Sequence, residues 1–237
     1  MDRHRWGRVA AALVGVALVA GCGTTGETGK KAEAVKLSRA QLESAVLDAE
    51  TVADFEFSAM SRKEIRGWRD RFEARPTACL PLADVRSMRM RPEPGAVAAT
   101  TGVAPETAGG ANPVVTVVLG TYGTGGAEAA FKRLRAAVRA CGDGFIATVD
   151  TSPVPQRYAA VVERDAPKGG GAAISYELSS SLWGIPRTQT VTVIRSGSTL
   201  VYFGTIPEAE GDASGIPDAV VTAQLAKLTK VRQRAAD

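Results

Sequence analysis

The amino-acid sequence predicts an α+β fold, a mainly antiparallel β-sheet flanked by helices, in a single domain behind an export signal and a tether. Three observations predict it. Five strand-like segments follow one another from Phe145 to Ile206 with only turns between them, and strands joined by short turns pair antiparallel. A nearly continuous β-branched run, Val114 to Leu119, reads as a strand covered on both faces. Amphipathic helical stretches stand before, between and after these strands, each with an apolar stripe that must find a sheet to cover.

The first 21 residues are read as a lipoprotein signal peptide. Asp2, Arg3, Arg5 and Arg8 form a short basic region, Val9 to Ala20 is an uncharged apolar run, and Gly21 and Cys22 follow. The run is too short for a helix crossing a bilayer, which needs about 20 apolar residues. The junction Val19-Ala20-Gly21-Cys22 resembles the bacterial lipoprotein lipobox, which implies that Cys22 is acylated and becomes the mature N-terminus. Two or more acyl chains anchor a protein stably where one does not. The membrane, reached through Cys22, is thus the first expected partner, and the outer face of the cell membrane the expected location. The plainer reading is a secretory peptide with a cysteine near its end.

Residues 22–36 contain almost nothing to bury and read as a flexible tether. The domain is expected over 37–237. Ser38 and Gln41 form a capping box, with Leu37 and Leu42 as its hydrophobic staple, so a helix starts at Arg39. Leu42, Ala45, Val46 and Ala49 would share its inner face. Phe55, Phe57 and Ala59 alternate as a strand. The stretch Arg62 to Arg75 places Ile65, Trp68 and Phe72 on one helical stripe, although Gly67 weakens the helix. It is also the most basic part of the mature chain, and Trp68 and Phe72 among those cations are candidate ligand contacts; a solvated helix holding two aromatics to the core is the plainer alternative.

Cys79 to Met90 reads as a short helix with Pro81 in its first turn, and a weak strand lies near Ala96 to Val103. The run at Val114 is expected in the middle of the sheet. A turn from Gly123 to Gly126 leads into a helix with Ala130, Phe131, Leu134 and Val138 inward, ending at Cys141 with Gly142 as C-cap. Strands follow at Phe145–Asp150, Arg157–Arg164, Ala173–Ser180, Thr188–Arg195 and Thr199–Ile206. The last two form a hairpin across Ser196-Gly197. Pro217 then opens a final helix bearing Val220, Val221, Leu225, Leu228 and Val231.

Composition excludes several functions. The chain has 237 residues, 45% hydrophobic and 23% charged, so it is neither disordered nor collagenous. Its one histidine, His4, lies in the signal, which removes His-dependent nucleophiles and the usual zinc sites from the mature protein. Residues 1–21 hold three Arg and one Asp, so without them 26 basic residues face 24 acidic ones and the formal charge falls from +4 to +2. Such a surplus does not suggest nucleic-acid binding. The turn Gly123-Thr124-Gly125-Gly126-Ala127-Glu128 has Glu128 where a dinucleotide fingerprint needs glycine, so no cofactor is expected. No metal site is expected either.

With Cys22 acylated, Cys79 and Cys141 remain in an oxidising compartment, and a disulfide is the expected outcome; two buried free thiols are the alternative. Carboxylate pairs, Glu163 with Asp165 or Asp150 with Glu177, are all that is left for a hydrolase. Trp183, between Leu182 and Gly184, is a further candidate ligand contact, against the plainer reading of a tryptophan capping the core.

The helix LSRAQLESAVL, the segment Ala78-Cys79-Leu80-Pro81-Leu82-Ala83-Asp84, the helix AAFKRLRAAVRAC ending at Cys141 and the late pair VTVIRSGSTLVYF together resemble the extracytoplasmic sensor domains of the PknH type. That family occurs on mycobacterial kinases and on many actinobacterial lipoproteins. The resemblance implies an antiparallel sheet flanked by helices, a cleft for an unidentified ligand and no catalysis. The expected function is thus a membrane-anchored lipoprotein whose domain binds or senses a small or lipidic ligand. Docking on an envelope protein complex without a small ligand is the alternative, and a carboxylate hydrolase a more distant one.

Overall fold

The computed structural model describes residues 36–49, 51–87, 89–104, 114–167, 171–182, 185–206 and 215–236. The signal peptide, Cys22, most of the tether and Trp183 lie outside the described residues. In chain order the elements are α1 (Arg39–Ala45), β1 (Glu56–Ala59), α2 (Arg62–Gly67), β2 (Phe72–Arg75), a 3₁₀ turn (Thr77–Cys79), α3 (Leu80–Arg86), β3 (Ala96–Val103), β4 (Val114–Thr121), α4 (Gly126–Ala140), β5 (Phe145–Val149), β6 (Ser152–Arg164), β7 (Ala173–Leu182), β8 (Ile185–Ser196), β9 (Thr199–Ile206) and α5 (Asp218–Ala236).

Among the described residues, nine strands make one sheet in the order β1-β3-β4-β9-β8-β7-β6-β5-β2. Every pairing is antiparallel, which agrees with the α+β expectation. The edge strands β1 and β2 have four residues each, and short edges leave little unpaired backbone to template association.

Side chains alternate across a strand, so the sheet carries two cores. On one face Val118, Tyr176, Leu178, Val191 and Val193 meet Phe131, Leu134 and Val138 of α4 and Leu82 of α3. On the other, Val115, Val117, Leu119, Val201 and Phe203 meet Leu42 of α1 and Val220, Val221 and Leu228 of α5. β4 is buried on both faces as expected, yet it is third from an edge; β8 occupies the centre of the sheet.

α1 starts as the capping box dictates, with Ser38 Oγ accepting from Gln41 N–H and the Gln41 side chain from Ser38 N–H. It stops at Ala45, earlier than the apolar spacing implied, and Ala49 is exposed. The reason is on α5. Gln224, fully buried, donates to Ala45 O at 2.6 Å and accepts from Leu47 N–H at 3.2 Å, so its amide satisfies the end of α1 in place of another turn. Replacing Gln224 with Leu leaves both backbone groups buried without partners, at about 1–3 kcal/mol each. Chemical denaturation should show Gln224→Leu destabilised by about 2 kcal/mol or more; an unchanged midpoint would contradict this role.

The helix expected over 62–75 is corrected. α2 ends at Gly67, and Phe72–Arg75 is instead β2, paired with β5. Trp68 and Phe72 therefore share no helical stripe. Trp68 caps α2 and is 40% exposed, whereas Phe72 packs against the core. The helix after Cys79 is also shorter than expected, closing at Arg86.

Two turns differ from the sequence reading. Cys141 is the C-cap of α4, and Gly144, not Gly142, takes the left-handed conformation, with φ 87°. A Cβ there would lie 2.2 Å from Tyr158 O, so the position admits only glycine. The β8–β9 link is Gly197-Ser198, one residue beyond the expected pair, with Gly197 at φ 60°. The expected bond between Cys79 and Cys141 is present, with Cα atoms 5.9 Å apart.

Candidate functional site

α3 and α4 lie side by side on one face of the sheet, and a cavity of about 370 Å³ opens between them. That is near the lower end of the size range for small-molecule sites. Leu80, Pro81, Met90, Leu134 and Ala137 give it apolar walls, and Ala136 and Ala140 border it from the exposed side of α4. Alanine in place of larger residues along α4 leaves this space open. The disulfide fixes both walls, because Cys79 precedes α3 directly and Cys141 terminates α4.

Three charged side chains enter the groove: Asp84, Arg91 and Arg133. Asp84 belongs to α3 and its side chain is only 3% exposed, with Arg91 Nε 3.2 Å from Oδ2. Its carbonyl accepts from Arg89 N–H and Ser87 Oγ, which fixes the loop that follows α3. Burial pushes the Asp84 carboxyl up to about 6, against the lowering influence of Arg91 and Arg89. Next to it, Glu93 bridges Arg69 and Arg89 at 2.8 Å each, and these guanidinium groups hold its carboxyl below the usual range.

The folded state keeps the Asp84 proton to a higher pH than the unfolded chain does. The stability this contributes is complete below about pH 4 and lost as pH rises through about 6. Relative to Asp84→Asn, the wild type should therefore lose about 2–3 kcal/mol between pH 4 and 7. Paired urea titrations across that range check this. A difference between the two proteins that stays constant with pH would contradict it.

The tryptophan and phenylalanine singled out from the sequence stand elsewhere. Neither Trp68 nor Phe72 lines the α3–α4 groove, and Trp183 is outside the described residues. Sequence reasoning missed Asp84, Arg91 and Arg133 as site residues. The available signal was Asp84, an acid inside the otherwise apolar run Leu80-Pro81-Leu82-Ala83-Asp84-Val85.

On the opposite face of the sheet a larger, more polar groove of about 610 Å³ runs between the start of α5 and strands β6 to β8. Arg164 and Glu177 pair there at 2.6 Å. Asp150 and Glu177, one of the carboxylate pairs considered for hydrolysis, stand far apart. Asp150 accepts from Arg71 N–H at the turn into β6, while Glu177 lies beside Val162, about 30 Å further along that strand at 3.3 Å per residue. Glycoside hydrolysis needs about 5–10 Å. Glu163 and Asp165 are both exposed. Among the described residues no three metal-ligating side chains gather, and no helix is long and apolar enough to cross a membrane.

No family model matches the sequence, and no curated protein matches it. Among solved structures, the chain is similar to the extracellular domain of PknH from Mycobacterium tuberculosis, with a TM-score of 0.53 and 10% identity over 84% of this chain and 99% of that one. A second likeness, to the Rv0999 ortholog from Mycobacterium smegmatis, has a TM-score of 0.33 and 12% identity over 86% of this chain and 97% of that one, too low to carry an argument. At such identities the first likeness speaks to architecture alone. The α+β fold of this chain, an antiparallel sheet with helices on both faces, is similar to that of the PknH extracellular domain, and the chain has a PknH-type extracytoplasmic fold.

Proposed function

We propose that the protein is a membrane-anchored, extracytoplasmic lipoprotein whose α3–α4 groove binds an amphiphile with one apolar chain and an anionic head. The observation that carries this reading is the groove's composition: apolar walls inside, with Arg91 and Arg133 entering beside a buried Asp84. An acyl chain gains free energy from leaving water along such walls, at about 0.8 kcal/mol for each buried CH₂. Arg91 is partly neutralised by Asp84, which leaves Arg133 as the cation for a carboxylate or phosphate. Binding is what these groups support best, since Asp84 is tied to Arg91 and the remaining walls are mainly apolar.

Location follows from the signal and the Cys22 junction, and the fold shared with an extracellular domain is compatible with it. Changing Cys22→Ala should release the protein from membranes of its host, and retention would count against the anchor. For the groove, titrating the protein into a long-chain fatty acid carrying a fluorophore should give a saturable, one-to-one signal that unlabelled fatty acid displaces. Absence of saturable binding would refute the ligand class.

A further inference from the structure

The outward face of α4 carries Lys132, Arg133, Arg135 and Arg139, all exposed and in no ion pair among the described residues. Elsewhere the chain supplies partners: Arg62 has Glu43, Arg69 and Arg89 share Glu93, Arg164 has Glu177 and Lys227 has Asp48. Lys132 with Arg135, and Arg135 with Arg139, are like charges three and four residues apart, a spacing that weakens a helix. The helix dipole accounts for Arg139 in the last turn, but not for Lys132 and Arg133 in the middle. Between these cations the exposed residues are Ala136 and Ala140, which border the apolar groove. Arg133 thus lines the mouth of the apolar groove, and Lys132, Arg135 and Arg139 continue the positive charge along the exposed face of the same helix.

We propose that this face of α4 docks on an anionic lipid bilayer and presents the groove mouth to it, so that the amphiphile enters from the membrane surface. The proposal rests on the ligand class argued above. Charge complementarity selects the partner: clustered Lys and Arg are attracted to anionic headgroups, cumulatively and within about a Debye length.

The test uses the exported chain with Cys22→Ala, which lacks the acyl anchor, and vesicles of phosphatidylcholine alone or mixed equally with phosphatidylglycerol. Cosedimentation should occur with the mixed vesicles only and fall as salt rises from about 0.1 to 1 M. Reversing Lys132, Arg135 and Arg139 to Glu should weaken it on the order of a hundredfold. Reversing Lys230 and Arg234 on α5, across the sheet, should leave it within a fewfold. Equal losses from both sets, or none from the α4 set, would overturn the proposal; the latter outcome would assign these cations to an acidic protein partner instead. Fluorescent fatty acid binding without vesicles separates the two ideas: if it persists while vesicle docking is absent, docking alone falls.

Discussion

Replacing Cys79 and Cys141 together by Ala is expected to lower the unfolding free energy by about 4 kcal/mol, the largest stability effect of any change considered. The bond closes a separation of 62 residues, and a loop of that length restricts the unfolded chain by about this amount. Both sulfurs are buried, Cys79 at the head of α3 and Cys141 at the end of α4, so the change also loosens the walls of the groove. Urea unfolding followed by circular dichroism should show a clearly lower midpoint, with weaker fatty acid binding under native conditions. A midpoint equal to that of the parent protein would remove the disulfide from the account of both stability and site.

The second large effect is on binding. Ala136 borders the groove from the exposed side of α4, so Ala136→Trp can place an indole of about 150–250 Å² over the opening without rebuilding the core. Fatty acid affinity should fall at least about tenfold. Stability should change by no more than about 0.5–1 kcal/mol, the usual range for an exposed helix position together with the propensity difference. Unaltered affinity in a stably folded Ala136→Trp protein would mean that the ligand lies elsewhere, with the polar groove beside α5 as the next place to look.

Much of the architecture was legible because local chemistry and tertiary demands agree. Ser38 and Gln41 announce a helix start and are its capping box; Val114 to Leu119 announce a strand covered on both sides and are one. The misreadings arose where a distant partner decides the outcome. Phe72 to Arg75 fits a helical period with Trp68, yet β5 recruits it as an edge strand. The start of β6 carries Pro153 and Pro155, which argue against a strand because proline lacks the N–H a ladder needs; both fall in the register shift between Ser152 and Gln156, where β5 makes no pair with them. Gln224 occupies an apolar position in the stripe of α5, and its reason is the end of α1, some 180 residues earlier.

The groove was less legible still. Its walls are about 50 residues apart in sequence, and α4's alanines read equally well as ordinary helix formers. Aromatic residues drew the sequence reading to Trp68, Phe72 and Trp183. The structure instead gathers an Ala-rich helix, a buried carboxylate and two arginines, a combination visible only once α3 and α4 are adjacent.

Native mass spectrometry of the protein extracted from its own membranes is the most direct measurement of whether the α3–α4 groove is a ligand site. The account predicts a co-purifying mass of a single-chain anionic amphiphile, in addition to the acyl modification, that is lost in Ala136→Trp. A protein that carries only its covalent acyl groups, or a bound molecule that the Ala136→Trp form retains, would contradict it.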